Sequence, residues 1–216
     1  MRSGSFLQHY CRSFDTVEIN NSFYQLPSSA TLSAWRETVP ANFVFAVKAN
    51  RYITHRKKLK DPAETTRPFL GLLGMLRTKL GPVLFQLPPR WRADPGRLDD
   101  FLSALPGGLR YAFELRDPSW FGTQVNAVLQ RYGAAFCIYE LDRRVSPLWV
   151  TADFVYLRLH GPEGAYGGRY GPGGLRPWAE RIRGWLCEGL DLYVYFDNDE
   201  AGYAVQDALT LREILG

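Results

Sequence analysis

Short runs rich in Val, Phe, Tyr and Ile alternate along the chain with stretches whose apolar residues recur at helical spacing. Residues 15–20, 43–50, 82–88, 111–117, 134–140, 154–161 and 192–199 read as strands, each bounded by Gly, Pro, Asp or Asn. Asp94-Pro95 reads as an N-cap with Pro at the first helical position, followed by the stripe Leu98, Phe101, Leu102 and Leu105. Val125, Val128, Leu129 and Tyr132 form a second stripe, and Leu175, Trp178, Ile182, Trp185 and Leu186 a third. All three read as faces turned to a core. Strand, helix, strand in repetition implies an α/β fold with parallel strands and crossover helices.

An open doubly wound sheet and a closed barrel both satisfy that order, and strand parity separates them. Alternate strand residues face opposite sides of a sheet. Val17 and Ile19 oppose Glu18 and Asn20; Phe45, Val47 and Ala49 oppose Lys48 and Asn50; Phe113 and Leu115 oppose Glu114 and Arg116. Leu157 and Leu159 oppose Arg158 and His160, Val194 and Phe196 oppose Tyr195 and Asp197, and Gln86 stands alone among apolar neighbours. An open sheet covered on both faces would make both parities apolar. In a barrel, one parity packs on the helices and the other converges on the axis, with the active site at the C-terminal strand ends. The pattern favours a (β/α) barrel with a polar site at that mouth. The alternative is a buried ion-pair network that plugs the barrel, although buried charge pairs are a poor source of stability.

The segments carrying these residues resemble a known family. They are Val17-Glu18-Ile19-Asn20-Asn21-Ser22-Phe23-Tyr24, Phe45-Ala46-Val47-Lys48-Ala49 with Arg51-Tyr52-Ile53-Thr54-His55, and Phe85-Gln86-Leu87-Pro88-Pro89. Phe113-Glu114-Leu115-Arg116 with Ser119-Trp120, Tyr156-Leu157-Arg158-Leu159-His160-Gly161, and Tyr193-Val194-Tyr195-Phe196-Asp197-Asn198-Asp199 complete the set. In order and type they resemble the YecE-like family (domain of unknown function 72) over residues 6–215. The resemblance implies a TIM-like barrel and supplies no settled activity. Two departures accompany it. Family members open with a short strand of the type Gly-Thr-Ser-Gly-Trp ahead of the helix matching residues 5–14. Here seven strands are countable, so the expectation is a gap narrowed by strand tilt, covered by residues 1–14, or closed by a second chain as a homodimer. The last family motif usually carries paired asparagines before its aspartate, whereas Asp197 adds a carboxylate and calls for a cation or a compensating arginine.

Length adds that 216 residues suit a single domain spanning 1–216. A net charge of +4 favours anionic partners without identifying one. No GxGxxG or GxxxxGK[ST] follows the first strand, and no HxH, HExxH or CxxC occurs, so no cofactor and no metal is implied. Cys11, Cys137 and Cys187 read as buried thiols. Without an apolar N-terminal run or a stretch of ~20 apolar residues, the expectation is a soluble, cytoplasmic protein with no membrane partner.

At the mouth, Glu18, Glu114 and His160 are the acid/base candidates. Lys48, Asn50, Gln86, Arg116, Arg158 and Asp197 are the substrate-binding candidates, arginine suiting bidentate capture of carboxylate or phosphate. The basic run 52–60 reads as a solvated loop, with His55 part of its polar surface and phosphate attraction as the alternative. Residues 161–174 hold seven glycines before a helix, a place for phosphate on backbone N–H groups or for a lid. These features suggest an enzyme acting on an anionic, phosphate-bearing small molecule or nucleic-acid end. The rivals are a non-catalytic nucleic-acid binder using Arg51, Arg56, Lys57, Lys58 and Lys60 with exposed Trp91 or Trp120, and an inactive barrel serving as an interaction partner.

Overall fold

The computed structural model describes residues 3–216, which fall into two compact units divided between Tyr132 and Gly133. Met1 and Arg2, the start of the expected N-terminal cover, lie outside the described residues. The first unit runs α1 (Ser3–Tyr10), β1 (Thr16–Ile19), α2 (Ser29–Thr38), β2 (Val44–Lys48), α3 (Pro62–Leu73), β3 (Leu80–Gln86), α4 (Pro95–Ser103), β4 (Tyr111–Glu114) and α5 (Thr123–Arg131). The second holds β5 (Ala135–Leu141), β6 (Arg144–Val145), β7 (Phe154–Leu159), α6 (Gly171–Cys187), β8 (Asp191–Phe196) and α7 (Tyr203–Leu215).

In the first unit β1, β2, β3 and β4 pair in parallel in chain order. In the second, β5, β7 and β8 pair in parallel, and β6 folds back antiparallel on β5. Among the described residues this makes seven parallel strands, the number the sequence pattern predicts. The hairpin is an addition. Its turn places Asp142 and Arg143 at φ 51° and 60°, the left-handed pair of a type I′ turn, without the glycine that usually advertises one. Gly81 has a different reason. A Cβ there would lie 2.3 Å from Val44 Cγ1, where β3 closes on β2 and the register slips between Phe45 and Val47.

The helices cover the apolar parity as expected. Leu98, Phe101 and Leu102 of α4, Val125, Val128 and Leu129 of α5, and Leu175, Trp178, Ile182 and Trp185 of α6 are buried. Leu186 and Tyr132 depart from their stripes and are exposed. Asp94 caps α4, its Oδ1 accepting from the Arg97 N–H at 3.0 Å. Of the three cysteines only Cys137 is fully buried; Cys187, in the last turn of α6, is exposed, and none forms a disulfide. Among the described residues no helix is long and apolar enough to cross a membrane.

Candidate functional site

Register decides which side chains share a face. In the first unit Glu18 pairs with Ala46, Lys48 with Leu84, and Gln86 with Glu114. Glu18, Lys48, Gln86 and Glu114 therefore project from one side of the sheet, with Arg116 two residues beyond on the same parity. Glu114 is fully buried. Its Oε1 accepts from Gln86 Nε2 at 2.9 Å and from Arg116 Nε at 2.5 Å, so a charge removed from water is met by a guanidinium and an amide.

Lys48 lies further along this face with its ammonium 4.8 Å from the centre of the Phe23 ring, a cation–π contact. Ser22 ties the two loops together by donating to the carbonyls of Ile19 and Lys48. Asn50, expected to bind substrate, is used by the backbone. Its Nδ2 donates to the Ser22 carbonyl at 3.0 Å and its Oδ1 accepts from the Tyr52 N–H at 2.9 Å.

After Arg51 the chain makes a π-helical turn, Tyr52–Arg56, and then passes through left-handed Lys58, Leu59 and Asp61. Such turns are rare and cluster at functional sites. Here the turn buries Ile53 and Thr54 and brings the His55 ring edge-on to Phe23, 5.0 Å between centres. His55 is thus half-buried instead of part of an open loop surface. Burial first, then the charges of Lys48, Arg116 and Arg51, push its pKa below the ordinary imidazole value.

In the second unit the shared face carries Tyr139, Arg158 and Tyr195 in one row and Cys137, Tyr156 and Tyr193 in the row below. Arg158 and His160 are buried. Arg158 Nη2 donates to Asp197 Oδ2 at 2.8 Å, which is the compensating arginine that Asp197 calls for. Arg158 Nη1 lies 3.4 Å from His160 Nε2, and His160 Nδ1 lies 3.1 Å from Asp197 Oδ2. A guanidinium can only donate, so Nε2 accepts and the ring proton sits on Nδ1, facing the Asp197 carboxylate. The Nδ1 approach is close but too poorly aligned for a full hydrogen bond. Burial, then the Asp197 charge, raises the pKa of Asp199.

The glycine-rich segment is clamped by carboxylates that the sequence pattern leaves unmarked. Asp207, fully buried on α7, accepts from the N–H groups of Tyr170 and Gly171 at 3.0 Å each and from Asn198 Nδ2 at 2.9 Å. The α6 N-terminus, expected as a place for phosphate, is thereby filled by a residue of the protein itself. Glu200 accepts from the Gly168 N–H, and Gly161, at φ 103°, closes so tightly on the Gly167 carbonyl that any Cβ would clash. The Tyr170 hydroxyl accepts from the Gly161 N–H at 3.1 Å; burial above all, with Glu140 and Asp207, pushes its pKa upward. The signal for Asp207 was its spacing with Ala204 and Leu211, a carboxylate on the buried stripe of a helix. Trp91 and Trp120, expected as exposed binding aromatics, are both buried, with Trp120 Nε1 donating to the Trp91 carbonyl. Among the described residues no group of three His, Cys, Asp or Glu is placed to hold a metal ion.

This arrangement of strands, helices and polar face defines a class. The structure matches that of the DUF72 family protein EF0366 of Enterococcus faecalis with a TM-score of 0.86 at 20% identity, covering 97% of this chain and 87% of that one. It matches TM1631 of Thermotoga maritima, another DUF72 family protein, with a TM-score of 0.81 at 24% identity, covering 100% and 90%. The fold is α/β and TIM-like. The family described as a protein of unknown function, DUF72, matches residues 1–216, and the chain belongs to it. The protein YecE of Escherichia coli is 33% identical over 117 residues, which are 53% of this chain and 43% of that protein. The match therefore spans less than half the length of that relative. The protein YunF of Bacillus subtilis is 23% identical, covering 97% of this chain and 86% of its own.

Proposed function

We propose that this protein is an enzyme acting on an anionic, phosphate-bearing substrate, a small molecule or a nucleic-acid end, by general acid/base chemistry. One observation carries the reading: Arg116 belongs to two groups at once. It holds the buried Glu114 carboxylate, and by parity it stands on the face that carries Glu18 and Lys48. A carboxylate able to move protons thus shares its partner with a cluster able to draw an anion. Glu114 acts as acid/base, with Glu18 on the same face as a second carboxylate, while Lys48 and Arg116 bind charge and Gln86 orients Glu114. In the second unit His160 is a candidate proton shuttle in its own right, its tautomer set by Arg158 and Asp197.

The test is a panel of phosphate monoesters, phosphodiesters and oligonucleotides with terminal phosphate, assayed with wild type and Glu114→Gln. Turnover of a phosphate-bearing member, reduced roughly 100-fold or more in the variant, is the expected result. Turnover that survives in the variant, or no turnover of any phosphate-bearing member, overturns the reading.

A second reading, a nucleic-acid binder without catalysis, is favoured by cations that lie over aromatic rings. Arg51 sits 5.7 Å from the exposed Tyr24 ring and Lys57 5.9 Å from the exposed Tyr52 ring. Aromatic faces beside positive charge suit single strands, whose bases stack while the backbone is neutralised. Oligonucleotide binding that falls steeply with salt, is lost in Lys57→Ala/Lys58→Ala and is unchanged in Glu114→Gln would establish this reading over the first.

A further inference from the structure

Between the end of β1 and the first turns of α2 the chain folds around a cleft of about 420 Å³, within the range of ~300–1,000 Å³ that suits small-molecule sites. Tyr24 and Trp35 line it together with Asn21, Gln25, Ser28 and Thr31, and among the described residues no charged side chain does.

Both rings are held in place from behind. Tyr24, 70% exposed, meets the buried Phe23 edge-on at 5.0 Å. Trp35 stacks on the buried Phe45 of β2, with 6.5 Å between centres and 22° between planes. The turn that carries Tyr24 is tied down as well, because the buried Ser22 hydroxyl donates to the carbonyls of Ile19 and Lys48. A ring fixed before a ligand arrives gives its contact area at little entropic cost.

The polar groups decide the kind of ligand. The α2 N-terminus is already capped: the Thr31 N–H donates to Ser28 Oγ at 3.1 Å, and the two hydroxyls bond each other at 2.9 Å. With that end satisfied, the lining offers no charge to an anion. Among the described residues the side-chain amides of Asn21 and Gln25 and the indole N–H of Trp35 have no hydrogen-bond partner. Amides and hydroxyls each donate and accept, which matches alcohol groups that do the same. A pyranose presents such hydroxyls around its whole rim and C–H groups on its face, and that face can lie on a single aromatic ring. A nucleobase carries its donors and acceptors in a fixed pattern along its edges. The cleft instead spreads its groups over two separate elements, the turn after β1 and the start of α2.

We infer that this cleft is a binding site for a neutral hexopyranose, with Tyr24 as the stacking platform and Asn21, Gln25 and Trp35 Nε1 as hydrogen-bonding partners. It shares no residue with the polar strand face and stands whether or not Glu114 moves protons.

The chain has six tryptophans, so indole N–H signals are few, and Trp35→Phe assigns the one in the cleft. Tyr24→Ala, at an exposed position, moves the same signal by removing a nearby ring and assigns it independently. Titration of the wild type with D-glucose, D-galactose, N-acetyl-D-glucosamine and methyl α-D-mannoside should shift that signal for at least one sugar, with a Kd of roughly 1–10 mM. Tyr24→Ala should weaken that sugar about 10-fold and Gln25→Ala about 3-fold or more, with the other indole signals unmoved to show that each variant is folded. A Trp35 signal that none of the four sugars moves at about 100 mM overturns the inference. So does a midpoint that Tyr24→Ala leaves unchanged, or a signal that adenosine moves and the sugars do not.

Discussion

Each unit buries an arginine–carboxylate pair at the polar ends of its strands, yet the two pairs are buried the opposite way round. In the first, the carboxylate is deep and the guanidinium nearer the surface, with Glu114 at 0% exposure and Arg116 at 14%. In the second, the guanidinium is deep, with Arg158 at 1% and Asp197 at 19%. The difference is one of escape. A buried carboxylate that loses its partner can take a proton and become neutral, whereas a guanidinium stays charged at every accessible pH. The first unit thus has a deep group whose charge can change, which suits proton transfer. The second has a deep group whose charge is permanent, which suits holding Asp197 and His160 in place.

Four measurements break or sharpen this contrast. The largest effect should come from Asp197→Ala, which strips the carboxylate from a buried guanidinium and should cost about 3–5 kcal/mol in denaturant unfolding. That deficit should not recover on acidification from pH 7 to pH 5, because the stranded Arg158 keeps its charge. Arg116→Met should cost about 3 kcal/mol at pH 7 and recover part of it on acidification, because protonation relieves the stranded Glu114. Equal pH behaviour of the two variants would dissolve the distinction. Third, Asp207→Asn should cost about 2 kcal/mol, since charge-assisted bonds to two backbone N–H groups are weakened. Limited proteolysis should then cut within 162–170, a site protected in the wild type.

The smallest effect concerns His55. Its pKa is depressed in the folded protein, so on acidification the unfolded chain takes the proton first. The folded state therefore loses stability as pH falls through about 6.5 towards the depressed value. Thermal unfolding of His55→Gln between pH 7.5 and 5.5 should show a shallower decline than wild type. An identical decline would mean that neither burial nor the surrounding cations lower its pKa.

The fold was legible because strand parity is a local property. Leu157, Arg158, Leu159 and His160 alternate whatever they pack against, and Asp94-Pro95 announces a helix start by itself. The pairings Glu114 to Gln86 and Arg158 to Asp197 were half legible: parity placed the residues on one face but left their partners open. What stayed hidden depends on tertiary packing. The π-helical turn follows from burying Ile53 and Thr54, and it alone turns His55 from loop surface into a ring against Phe23. Trp91 and Trp120 sit among polar residues in sequence and are buried by each other in space. The Asp142-Arg143 hairpin turn lacks the glycine by which such turns are recognised.

Asp207 also sets an order of events. It reaches the N–H groups of Tyr170 and Gly171 across 37 and 36 residues of chain. Loop closure over that span precedes the reward of the contact, so these bonds form late in folding. As the chain is synthesised, 161–171 leaves the ribosome long before the residue that will fasten it. The glycine-rich segment must wait, unfastened, until β8 is paired and α7 has wound.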